Sequence, residues 1–98
     1  MKTARKKTAK PKFSIPPDPE NQNNDRAKWA LAGVQSFADV TGLDLDLEAD
    51  GLQVAIYDLL ADIGHLCDRE GLLFPELLRR AAKHYSDETE GHGAQFNF

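Results

Sequence analysis

The side chains best equipped for chemistry stand together in one stretch, DLLADIGHLCDREG, residues 58–71. Asp58, Asp62, His65 and Arg69 fall at i, i+4, i+7 and i+11, which places them on one stripe of a helix. Two carboxylates one turn apart are oxygen ligands of the kind Mg²⁺ takes. An imidazole beside them supplies a third ligand, or a base that titrates near neutral pH. Asp58, Asp62 and His65 are therefore the metal candidates. With Arg69, and with His84 from the next helix, they are also the candidate residues for binding a partner. A plainer account competes with both. An amphipathic helix needs a wet face, and acids beside basic residues give local pairs worth only ~0.2–0.5 kcal/mol each. The plainer account is preferred, so no catalytic residue and no cofactor are assigned. A single cysteine, Cys67, cannot make a thiolate zinc site without a second thiol, and it reads as a small core residue. There is no glycine-rich phosphate loop and no Ser/His/Asp grouping in a recognisable context.

The elements that would position this stripe are helices. Leu52, Ile56, Leu59, Ile63 and Leu66 form an apolar seam, widened by Ala55, Leu60 and Cys67, in a helix from Asp50 to about Glu70 that Gly71 stops. Before it, RAKWALAGVQSFADVT puts Trp29, Ala32, Gly33, Phe37 and Val40 on one predicted inner face. Asn24 or Asp25 is the expected cap and Gly42 the expected stop. After it, LLFPELLRRAAKHY predicts a third helix. Pro75 suits its first helical position, Glu76 stands at its positive end, and Arg79, Arg80 and Lys83 lie toward its negative end. The alternation Leu43, Leu45, Leu47 has the period of a strand. A lone strand has no partner here, so the preferred reading is an extended connector whose leucines plug the core.

The expected architecture is all-α: a small three-helix domain in which a hairpin of helices two and three is crossed by helix one. Residues 25–86 would form this domain. Residues 1–24 would be a disordered basic, Pro- and Asn-rich arm, and residues 87–98 a mobile tail on which Phe96 or Phe98 could still dock.

The net charge of −4 over 98 residues hides an asymmetry. Lys2, Arg5, Lys6, Lys7, Lys10 and Lys12 give the arm six cations and no acid among its first twelve residues. The remaining residues carry six Lys/Arg against sixteen Asp/Glu, a balance of −10. The six arm cations are the nucleic-acid candidates, since they could make salt-sensitive phosphate contacts. A solubilising role is preferred, because no aromatic is interleaved among them for stacking. No apolar run is long enough to span a membrane, and no signal-type segment follows the basic start. Cytoplasmic location is expected, with no membrane partner. A chain this small buries only ~60% of its unfolded surface, which makes pairing with a second copy a serious expectation.

The segment YDLLADIGHLCDREGLLFPELLRRAAKHYSDE resembles a set of short, uncharacterised helical proteins of phages, plasmids and related bacterial mobile elements. Their pattern is D-L-L-x-D-L-x-H-x-x-D-x-x-G, a short turn, then L-x-R-A-x-x-H-Y. Asp58, Asp62, His65, Asp68, Gly71, Phe74, Ala81, His84 and Tyr85 fit it, over about residues 52–88. The resemblance implies a mobile-element setting and brings no activity with it. Leu73 stands where the family commonly has an acid that would cap the third helix. The same region is similar in cadence to the MazG-like all-α nucleotide pyrophosphohydrolases, which hold Mg²⁺ with E-x-x-E and E-x-x-D acids. Asp62 matches the last acid, but Leu59 stands where its preceding Glu belongs. Gln35 and Asp39 replace the first pair. These departures speak against the metal cluster.

The function expected from these readings is a non-catalytic helical accessory or interaction protein of a mobile element. Its partner would be a protein, including a second copy of itself. Three alternatives accompany it: an acidic inhibitor that imitates nucleic acid, a degenerate Mg²⁺-dependent nucleotide hydrolase using Asp58, Asp62 and His65, and DNA binding through Arg79, Arg80 and Lys83.

Overall fold

The computed structural model describes residues 15–45 and 50–96. It is all-α, with three helices and no strand among the described residues: α1 (Gln22–Thr41), α2 (Gly51–Glu70) and α3 (Phe74–Glu88). The basic part of the expected arm, residues 1–14, and the link at 46–49 lie outside the described residues. Phe98 and Leu47 do so as well.

α1 begins earlier than the expected cap at Asn24 or Asp25, both of which lie within the helix. The capping oxygens come from Asp18 instead. Its carboxylate accepts the backbone N–H groups of Asn23 at 3.1 Å and Asn24 at 2.9 Å. Asn21, at φ 61°, turns the chain between them. A carboxylate at the positive end of a helix is doubly suited, because it satisfies orphan donors and meets the dipole. The stops fall where glycine predicts them: Gly42 has φ 83° and Gly71 has φ 74°, the left-handed conformation that closes a helix. α3 starts with Leu73 at the cap position and no side-chain cap bond, while Pro75 takes the second helical position. With leucine at 73, the first turn is left to Pro75, which has no N–H to satisfy, and to Leu73's own carbonyl, which accepts from Glu76 and Leu77.

The core is small and sits where α1 meets the first half of α2. Val34, Ala38, Leu45 and Ala55 are buried, with Leu43 and Leu59 against them. Leu43 and Leu45 plug this core from the connector, as the alternating leucines predicted. The inner face of α1 is not the predicted one. Phe37 is half-buried, but Trp29 is 71% and Val40 85% exposed, and a Cβ added at Gly33 would meet nothing within 4 Å. Both sides of α1 carry apolar residues at helical spacing. The small pair Val34 and Ala38 lets the backbone of α2 come close, which the bulk of Trp29 would prevent.

α2 and α3 pack at Gly64, where an added Cβ would lie 3.0 Å from the ring of Phe74. The absent side chain is what makes room for that ring. α1 reaches α3 at the opposite end, through Asn23 and Arg26 against Glu88. The three pairings therefore sit at different places along the helices. No large side chain is fully buried among the described residues. α1 was expected to cover the leucines of α2, and it covers them only in part.

Beyond α3 the described chain turns back toward Tyr85. Thr89 is buried, its hydroxyl donating to the Tyr85 carbonyl and accepting from Gly93 N–H. Tyr85 Oη accepts from Ala94 N–H at 3.0 Å. Phe96 meets the Tyr85 ring edge-on, centroids 5.9 Å apart.

Candidate functional site

α2 holds the Asp–Asp–His stripe in the predicted register. Asp58 is half-buried, whereas Asp62, His65 and Arg69 are exposed. Arg69 pairs with its neighbour Glu70, at 2.9 Å. Asp58, Asp62 and His65 make no side-chain hydrogen bond or ion pair with one another or with any other described residue. No group of three or more His, Cys, Asp or Glu side chains gathers in metal-holding geometry among the described residues. His84 is exposed on α3 and joins no such group. On α1, Gln35 donates its amide to Asp39 at 3.0 Å, so the two residues at the MazG-like first-pair positions bond each other. Cys67 is buried, as a small core residue would be.

The cations of α3 are engaged by acids of the same helix. Arg79 lies 2.6 Å and Arg80 3.5 Å from Glu76, one on each carboxylate oxygen, and Lys83 lies 3.1 Å from Asp87. The hydrogen bond from Arg79, then its charge, hold the Glu76 carboxyl below its ordinary range, with smaller help from Arg80. A helix offering these groups to DNA phosphates would first have to part them from their acids. The six arm cations lie outside the described residues.

Two concavities flank the meeting of α1 and α3. One, of about 550 Å³, is lined largely by apolar atoms of Ile15, Pro16, Ala27, Ala30 and Tyr85. The other, about 240 Å³, is polar, with Asp18, Arg26, Glu88 and His92 around it. Both are open to solvent.

Leu52, Ile56, Leu60 and Leu66 of α2 are 37–47% exposed. Leu31 of α1 and Leu77 of α3 are also exposed. The sequence located the seam on α2 but took it for interior. Arg26, Asn23 and Thr89, which fasten the far end of the molecule, carried no periodic signal. Asp18 was legible only as one residue of a Pro-rich turn.

No protein-family model matches the chain, and no curated protein or solved structure matches it significantly. No described helix is long and apolar enough to cross a membrane.

Proposed function

We propose that this chain is a non-catalytic helical interaction module whose uncovered apolar face is completed by another protein chain. The observation that carries the reading is the partly open seam of α2, where Leu52, Ile56, Leu60 and Leu66 remain 37–47% exposed. Folded monomers rarely expose contiguous apolar surface beyond a few hundred Å², and larger patches mark interaction sites. The dispersed titratable groups support the non-catalytic half of the proposal, because nucleophile, base and metal chemistry all need side chains brought within bonding reach. The resemblance over residues 52–88 favours a phage or plasmid setting. The acidic balance of the chain outside the arm favours a partner with basic groups around an apolar contact.

Site-specific photo-crosslinking tests this. A photoreactive residue at Ile56 should capture a protein chain in the producing cell, while one at exposed Asp25 should not. Equal capture at both sites, or none at Ile56, overturns the reading. So does hydrolysis of a nucleoside triphosphate that Asp62→Asn abolishes.

A further inference from the structure

We infer that the apolar groove between α1 and α3 is the seat of Phe13, which fastens the root of the basic arm to the body of its own chain. The groove is a different face from the α2 seam, so the inference stands apart from the interaction reading. It encloses about 550 Å³ and is lined largely by apolar atoms of Ile15, Pro16, Ala27, Ala30 and Tyr85. Ala27 and Ala30 lie one above the other on α1, three residues apart. Their small side chains leave room beside Tyr85 for an aromatic ring. Ile15 lines the groove and is still 79% exposed, so the groove lacks a covering group on the side where the chain enters it.

The occupant follows from where the rest of the chain joins this groove. Residues 1–14, outside the described part, end at Ser14, next to Ile15 on the groove wall. Phe13 is the one aromatic residue among them. Two residues of chain span at most ~7 Å, so Phe13 stays within reach of the groove. Ile15 precedes Pro16, which biases its backbone to the extended form. Along extended backbone, residues two apart face the same side. Phe13 therefore falls on the side from which Ile15 meets the groove. Charge agrees. The first twelve residues hold six cations and no acid, against a balance of −10 in the remainder. The polar concavity beside the groove shares Asp18, Arg26 and Glu88 with it and adds Glu20 and Glu90, so Lys12, next to Phe13, would meet an acidic rim. The same balance disfavours the body of a second copy as occupant. Phe98 is disfavoured by the path of the tail. Gly93 and Ala94 lie against the hydroxyl end of Tyr85, and Phe96 meets its ring edge-on without lining the groove.

Nuclear Overhauser contacts in the dilute full chain test this. The expected result is a set of contacts from the Phe13 ring to the methyl groups of Ala27 and Ala30 and to the Tyr85 ring. They should be absent from isotope-filtered spectra of mixed labelled and unlabelled chains, because the arm docks on its own body. Phe13→Ser should remove them and lower the folding equilibrium constant by about tenfold, as losing the burial of an aromatic side chain would. Phe98→Ser should leave the Phe13 contacts in place. Absence of any contact from Phe13 to these groups overturns the proposal, whatever the stability of the serine variant. Contacts from Phe98 to Ala27 and Ala30 in their stead overturn it too, and so do Phe13 contacts seen only between chains. None of these results touches Ile56, so the interaction reading is judged separately by its own crosslinking experiment.

Discussion

Arg26 and Glu88 tie the first turns of α1 to the end of α3: Nε lies 3.4 Å from Oε2, and the neighbouring Asn23 amide donates to the Glu88 carbonyl at 2.8 Å. Arg26 also donates to Asn23 Oδ1 at 2.6 Å, so the three residues form one small network. Both charged side chains are partly exposed, at 40% and 35%, which limits what the pair contributes. Arg26→Ala and Glu88→Ala should show a coupling of ~0.2–1 kcal/mol in a double-mutant cycle of chemical unfolding, shrinking in high salt. Asn23→Ala should cost ~0.5–1.5 kcal/mol, with less salt dependence, because its bond to the carbonyl is neutral.

Gly64 makes a second, opposite test, since here it is an absent atom that matters. Alanine at 64 gains helix propensity of ~1 kcal/mol over glycine, but its Cβ would stand 3.0 Å from the Phe74 ring. The ring edge can yield by a few tenths of an ångström, so Gly64→Ala should be near neutral. Gly64→Val adds two further methyl groups where the ring already sits, and should destabilise by ~1–3 kcal/mol. Phe74→Leu should relieve part of that cost in the double variant and lower stability when made alone. If Gly64→Val cost as much in the Phe74→Leu background as in the parent, the cause would lie in the helix backbone instead.

Glu76 provides a pH signature. Its carboxyl titrates below the ordinary 4.5 because Arg79 hydrogen-bonds it and, with Arg80, favours its charged form. A carboxyl whose folded value is depressed adds stability above the unfolded value, and that stability is lost as pH falls through the folded value. The difference in unfolding free energy between the parent and Glu76→Gln should therefore be constant at neutral pH. It should shrink once pH drops below 4.5. The exposed setting keeps the effect small and salt-sensitive. A difference that grows on acidification would contradict the assignment.

Local signals in the sequence were strong wherever one residue type has one conformational use. Gly42 and Gly71 end their helices in the left-handed region, and Pro75 sits in a first turn, one position past the expected one. The seam of α2 and the leucines of the connector were legible for the same reason, since only one face of each carries large apolar groups. α1 was misread because it has two apolar stripes, and periodicity does not say which of them meets a neighbour. Choosing Val34 and Ala38 over Trp29 and Val40 depends on how closely two backbones approach, which is a tertiary fact. The partial exposure of the α2 seam was invisible as well, because hydropathy tells which side chains avoid water and not whether one chain suffices to cover them. The end of α3 ran past its last periodic residue for a similar reason: Thr89, Gly93 and Ala94 are held by the Tyr85 hydroxyl and carbonyl network, and none is apolar at helical spacing.

Asp58 and Asp62 separate the interaction reading from a hydrolytic one most directly. Octahedral Mg²⁺ holds its ligands at ~2.0–2.1 Å and is reluctant to shed water, so two carboxylates on one exposed helix face give it little unless further oxygens converge. No third ligand joins these two among the described residues. Titrating Mg²⁺ into the full chain should therefore move the amide signals of Asp58 and Asp62 only gradually, without saturation at millimolar metal. Asp58→Asn with Asp62→Asn should leave calorimetric heats of Mg²⁺ addition as they were. Saturable Mg²⁺ binding lost in that variant would mean that the stripe holds a cation after all, and the non-catalytic reading would have to be given up.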